Sequence, residues 1–200
     1  MSISAADVKA LRDRTGAAMM DCKAALAEAE GDTERAIELL RVKGQASAAK
    51  REGRGTEEGV VSSYIHANHK VGAMVEVQCE TDFVARNEDF QDFAYQVALH
   101  VAATAPRYVS AEEIPASERE AEQRVFAEKA REEGKPDNVV EKIVEGQLKK
   151  WASEVALLDQ THVNAEKHES KTIEQLRQEL AAKTGENVRI ARIAYFRVGA

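Results

Sequence analysis

Val71-Gly72-Ala73-Met74-Val75-Glu76-Val77-Gln78-Cys79 is the stretch on which the fold turns. Val71, Ala73, Val75, Val77 and Cys79 alternate with Gly72, Met74, Glu76 and Gln78, the period of two of a strand with one apolar face. Just upstream, Val60 to His66 reads as a partner strand and Ala67 to Lys70 as the turn of a hairpin. Val188 to Val198 offers a third strand at the far end, so one antiparallel sheet can close around a long excursion.

The excursion is helical. Phe90, Phe93, Ala94, Val97, Ala98 and Val101 recur at helical spacing ahead of Pro106. Ser117 and Glu120 have the form of a capping box for a helix reaching Gly134, and Val140, Ile143, Val144, Gln147, Leu148 and Trp151 mark another. Thr172 and Gln175 open a last helix through Ile173, Leu176 and Leu180 to Gly185. The expected class is α+β, with flanking helices beside a small antiparallel three-stranded sheet over residues 60–200.

Upstream of the hairpin the pattern is three short helices. Ser4 and Asp7 start the first, with Val8 and Leu11 inward and Gly16 at its end; Cys22, Ala25, Leu26 and Ala29 carry the second to Gly31. Asp32 caps a third, whose Ala36, Ile37 and Leu40 form a stripe ending near Gly44. Such helices cannot each bury a stripe alone, so residues 1–45 should pack as a bundle of about 45 residues, near the lower size limit for a stable core. Residues 46–59, with Lys50, Arg51, Arg54, Gly53, Gly55 and Gly59 and no apolar stripe, read as a flexible or partly helical linker, a solvated hinge rather than a nucleic-acid contact.

Composition narrows the function. The chain has 200 residues, 44% hydrophobic and 5% aromatic, with 28 Lys and Arg against 35 Asp and Glu. A chain of this size buries roughly 70% of its unfolded surface, so it needs neither disulfides nor a metal. A net charge of −7 argues against a protein that neutralises phosphate backbones, and no direct nucleic-acid partner is expected. No run approaches the ~20 apolar residues of a membrane span, and Met1 to Asp7 lacks the basic start of a leader, which points to the cytoplasm and to no membrane partner. Cys22 and Cys79 form no C-x-x-C pair and read as small buried hydrophobes.

The catalytic inventory is poor: none of the usual nucleotide-loop, nucleophile-elbow or zinc-protease motifs occurs. Gly16, Gly31, Gly44, Gly134 and Gly185 fall where helices should stop. His66 and His69 sit at the hairpin turn with no third ligand nearby, so no metal, cofactor or catalytic residue is expected and the chain reads as a non-enzyme. His100, His162 and His168 look like scattered surface or edge residues.

One segment stands apart. Glu80-Thr81-Asp82-Phe83-Val84-Ala85-Arg86-Asn87 joins the strand ending at Cys79 to the long amphipathic helix. By spacing alone, Thr81 or Asp82 caps the helix and Phe83 staples it to the sheet. The other reading is a rigid junction that presents a carboxylate and an aromatic ring to a partner.

That octet resembles the signature of the bacterial elongation factor Ts family. Leu11-Arg12-Asp13-Arg14-Thr15-Gly16-Ala17-Ala18-Met19-Met20-Asp21-Cys22-Lys23 resembles the family's N-terminal module, and Gly134-Lys135-Pro136 with Val144-Glu145-Gly146-Gln147-Leu148-Lys149-Lys150 matches its core. The resemblance implies a short-form guanine-nucleotide exchange factor for elongation factor Tu, which binds the GDP form and promotes GDP release by disturbing the Mg²⁺ and phosphate site. It implies that Asp82 and Phe83 intrude near the Mg²⁺ of the partner's GTPase domain while Thr81 and Val84 hold them. It also implies that Arg12, Met19 and Met20 contact a helix of that domain, through a module of the UBA-like (ubiquitin-associated) type. Met19 and Met20 are adjacent and cannot both face one core, which leaves one for an outer surface.

The resemblance to short members of the family further implies a homodimer. The alternation of Val188, Ile190, Ala194, Phe196 and Val198, interrupted by Arg192, supplies an apolar face for a second copy. Two other functions compete: a UBA-like helical adaptor that binds peptide or RNA without exchange activity, and a metal-dependent hydrolase using His66, His69 and Glu80.

Overall fold

The computed structural model describes residues 3–199, without the side chains of Gln45, Ala49 and Asp137. The opening pair Met1 and Ser2, part of the stretch read for a leader, lies outside the described residues. The first three helices are α1 (Ala5–Thr15), α2 (Met19–Glu28) and α3 (Thr33–Ala49). The hairpin is β1 (Glu58–Ile65) and β2 (Val71–Cys79). A one-turn helix α4 (Asp82–Ala85) precedes α5 (Glu88–Thr104), α6 (Ala116–Glu132), α7 (Asp137–Val155) and α8 (Ile173–Thr184), and β3 (Arg189–Arg197) follows. The three strands form one antiparallel sheet in the order β1-β2-β3, so the fold is α+β as expected.

Chain contacts divide the molecule into two compact units. The first comprises the described residues up to Val60 with Val77–Phe93 and Gln175–Arg189. In it, Ser4 caps α1 by accepting the Asp7 amide at 3.2 Å while the Asp7 carboxylate accepts the Ser4 amide at 3.1 Å, the reciprocal box read from the sequence. Val8, Leu11, Cys22, Ala25, Leu26, Ala29, Ala36 and Leu40 interlock as the core of the three helices, with Ile3, Ala17, Ile37 and Leu39 at its margin. Helix α3 does not stop at Gly44 but runs to Ala49. A Cβ at Gly44 would stand 3.2 Å from the Cβ of Ala182, so the glycine lets α3 pass close to α8. Residues 50–57 then lead to β1 as turns, tied down by Asn187, whose side-chain amide donates to the Glu52 and Arg54 carbonyls at 3.3 and 2.9 Å.

The second unit comprises Val61–Glu76, Ala94–Glu174 and the described residues from Ile190. Ala73 and Val75 on β2 and Ala94, Val97, Ala98 and Val101 on α5 are buried, the two apolar stripes that the sequence carries at periods of two and 3.6. Helices α6 and α7 pack as a pair around Ala130, Val140 and Val144, with Phe126, Ala127, Ile143 and Leu148 against them. Pro115 precedes α6 and the helix begins at Ala116, so Ser117 lies inside the first turn and caps nothing.

The histidines also depart from expectation. His100 and His162 are fully buried, and His168 packs on His162 with ring centroids 4.2 Å apart. Each of the two buried rings is held through both nitrogens: His100 by Gln160 and the Val163 amide, His162 by the Gln96 carbonyl and the Asn164 amide.

The sheet's second face is open on this unit. Val61, Ile65, Met74 and Phe196 are exposed there, around an ion pair between Arg192 and Glu76.

Candidate partner-binding site

Strand β2 ends in the interior at Cys79, whose thiol donates to the Thr81 carbonyl at 3.2 Å. Burial, and then the charge of Glu186, push this thiol up to about 11, so it stays protonated and keeps donating. Glu80 follows with a carboxylate that accepts the Asn187 amide at 2.6 Å and faces the Arg54 guanidinium at 3.4 Å.

Thr81 is extended and bonded on two sides. Its hydroxyl donates to Glu186 Oε1 at 2.6 Å and accepts the Val84 amide at 3.5 Å, which caps α4. Glu186 Oε2 accepts the amides of Glu80 and Thr81, each at 3.0 Å. The Ala85, Arg86 and Asn87 amides close the turn onto Thr81, Asp82 and Val84 carbonyls at 3.2, 3.1 and 3.0 Å.

The side chains of this turn are sorted by the local geometry. Ala85 is buried and Val84 half-buried, which seats the turn. Asp82 pairs with Arg86 at 3.0 Å, one helical turn ahead. Phe83 is 80% exposed. Leaving that ring in water forgoes the roughly 1.5–3 kcal/mol that burying it would contribute, so the fold does not use Phe83. Thr81 is therefore the cap that spacing allowed, but Phe83 is no staple.

On the three-helix module, Arg12 projects from α1 and Met19 and Met20 begin α2. Met19 is 45% and Met20 72% exposed, so neither joins the core; adjacency leaves room for one inside, but Cys22, Ala25 and Leu26 take the inward positions of α2. Arg12, the methionines and the 81–84 turn all belong to the first unit.

The sequence reading missed the support beneath the turn. Arg177, nearly buried, donates to the Val188 carbonyl at 2.7 Å and pairs with Glu52 at 3.1 Å, so the strand entry that carries Glu186 and Asn187 is fixed in turn. Antiparallel pairing of β3 with β2 was the available signal, since it sets the residues before β3 beside those after β2. His66 is explained by its 3.1 Å hydrogen bond to the Tyr64 hydroxyl, and Glu80 is occupied as described. Among the described residues, no group of three or more His, Cys, Asp or Glu side chains is placed to hold a metal ion.

What the fold and this site define is an α+β protein that holds an aromatic ring in water on a pinned one-turn helix. Comparison with known proteins gives the family. The model of the family described as Elongation factor TS matches residues 34–169. Elongation factor Ts of Geobacter sulfurreducens is 50% identical over 199 residues, covering 100% of this chain and 91% of that protein. The Fervidobacterium nodosum protein of the same name is 48% identical over 199 residues, 100% of both chains, and that of Solidesulfovibrio magneticus 52% over 198 residues, 99% of this chain and 98% of the relative. The chain belongs to the elongation factor Ts family.

Proposed function

We propose that this chain drives guanine-nucleotide exchange on elongation factor Tu, and that residues 81–84 are the element that does it. A GTPase holds its nucleotide through phosphate-cradling amides and a Mg²⁺ that bridges phosphate oxygens and protein ligands. Mg²⁺ demands near-ideal octahedral geometry, so a small displacement of its surroundings loosens ion and nucleotide together. Phe83 wedges into the partner's GTPase domain on the Mg²⁺ side, Asp82 supports its approach, and Thr81 and Val84 hold the pair. Arg12, Met19 and Met20 dock on a helix of the same domain. No covalent bond is made or broken, so the chain needs no catalytic residue and no cofactor, and the coupling is reciprocal: what weakens GDP binding is weakened by GDP equally.

The observation that carries this reading is the 80% exposed Phe83 on a turn whose entry amides, at Glu80 and Thr81, and capping hydroxyl are all bonded. In the same reading residues 1–45 dock, 46–59 join, and 60–200 carry the turn and a dimer face. A second copy covers the open side of the sheet, where Val61, Ile65, Met74 and Phe196 surround a pair of opposite charges. The reading places the chain in the cytoplasm, where elongation factor Tu works; among the described residues no helix is long and apolar enough to cross a membrane.

The test is release of a fluorescent GDP analogue from elongation factor Tu. The chain at catalytic amounts accelerates release, and Phe83→Ala slows it by an order of magnitude or more with an unchanged melting temperature. A release rate unaffected by the wild-type chain would instead establish an adaptor of the UBA-like kind.

A further inference from the structure

We infer that Glu186 is a positioning residue for exchange: it aims Phe83 without touching the partner. The inference rests on the role proposed for the 81–84 turn and extends it to the residue that sets the turn's direction.

Strand β2 ends at Cys79 and β3 starts at Arg189, yet the two segments remain coupled past those ends through side chains. Glu186 Oε2 receives the Glu80 and Thr81 amides at 3.0 Å each, and Glu80 returns the arrangement by accepting the Asn187 amide at 2.6 Å. Two carboxylates thus stand where strand carbonyls would otherwise continue the ladder. Charge-assisted bonds of this kind are short and directional.

The second oxygen of Glu186 transmits that order to the ring. Oε1 accepts a hydrogen bond from the Thr81 hydroxyl at 2.6 Å, which fixes the rotamer of Thr81 and turns the lone pairs of its hydroxyl toward the Val84 amide. That amide belongs to the first turn of α4, where Phe83 is the second residue. The path from Glu186 through Thr81 to the α4 axis therefore decides where Phe83 points. Glu186 is itself set on a rigid base, because Asn187 beside it is bonded to the carbonyls of Glu52 and Arg54.

A positioning role and a merely structural one part in exchange kinetics. Glu186→Ala, assayed as the full chain with elongation factor Tu and a fluorescent GDP analogue, should lower the maximal release rate roughly tenfold or more, with a smaller change in the half-saturating concentration. Glu186→Gln retains one acceptor oxygen and should recover part of the loss. In the Phe83→Ala background, Glu186→Ala should cost nothing further, since there is no ring left to aim. Should Glu186→Ala fail to fold, Thr81→Val, which removes the transmitting hydroxyl and keeps both amides, carries the same expectations. A wild-type maximal rate in a folded Glu186 variant, or a loss that adds fully to that of Phe83→Ala, overturns the inference. If Phe83→Ala itself exchanges at the wild-type rate, the role of the whole turn is wrong; if Phe83→Ala is slow and the folded Glu186 variants are fast, only the role of Glu186 is.

Discussion

His100 and His162 stack in the interior with ring centroids 5.3 Å apart and planes 29° from parallel, and the Nδ1 of each accepts a backbone amide, from Val163 and Asn164, at 3.1 and 3.0 Å. An Nδ1 that accepts carries no proton, so both rings are neutral with Nε2–H donating, to Gln160 at 2.8 Å and to the Gln96 carbonyl at 3.2 Å.

Acid should therefore open this corner of the second unit first. Burial, and beside it the neighbouring His162, hold His100 down at about 4, with the Gln160 bond opposing; burial likewise lowers His162, and Lys167 adds to the effect. A histidine depressed in the folded state contributes stability above its unfolded value near 6.5 and loses it as pH falls toward 4, up to about 3 kcal/mol for His100. Hydrogen-exchange protection of residues 160–172, measured against the intrinsic rate at each pH, should fall between pH 6.5 and 4 before that of α1 to α3 does. His100→Gln, which cannot titrate, should flatten the dependence. A uniform fall in protection along the chain would contradict this.

Gly59→Ala should be strongly destabilising. Its φ is 155° and an added Cβ would lie 2.2 Å from the Val77 carbonyl oxygen, a backbone atom that cannot swing aside. A loss above about 2 kcal/mol in denaturant melts is expected. Ser4→Ala, which removes a reciprocal cap from an exposed helix start, should cost only about 1 kcal/mol.

Met20→Ala and Arg12→Ala should leave stability within about 0.5 kcal/mol of wild type, because both side chains lie in water. Titration calorimetry with nucleotide-free elongation factor Tu should show several-fold weaker binding for each. Unchanged affinity for both would remove the module's α1 and α2 from the docking surface.

Phe196→Asp should abolish self-association if the open side of the sheet is the dimer face. The ring is 65% exposed, so a charge there leaves the single chain folded while placing two carboxylates against an apolar seam. Sedimentation at micromolar concentration should give a dimer for the wild-type chain and a monomer for the variant.

Elements whose signal is local could be read from the residues alone. The β2 alternation and the α5 stripe did so, because one buried face imposes a short period on each. Gly44 misled because an interior glycine costs a helix only about 1 kcal/mol, which the close approach to Ala182 offsets. His100 was misjudged because its bonding partner Gln160 is 60 positions away, and Glu186 was missed because Thr81 lies 105 positions from it. Phe83 illustrates the boundary: spacing offers Thr81 or Asp82 as a cap, but whether the ring faces inward or outward depends on the α4 turn, which only the folded chain defines.

Cys79 has a consequence for how the molecule can be interrogated. Both cysteines are buried, and the Cys79 thiol, held protonated, is in addition a poor nucleophile, so alkylating reagents and mild oxidants should pass over the native chain. Each sulfur becomes a target only when its surroundings part. Labelling at Cys79 then clocks the fraying of the strand end behind Phe83, and labelling at Cys22 clocks the breathing of the helical module, from a single unmodified sample.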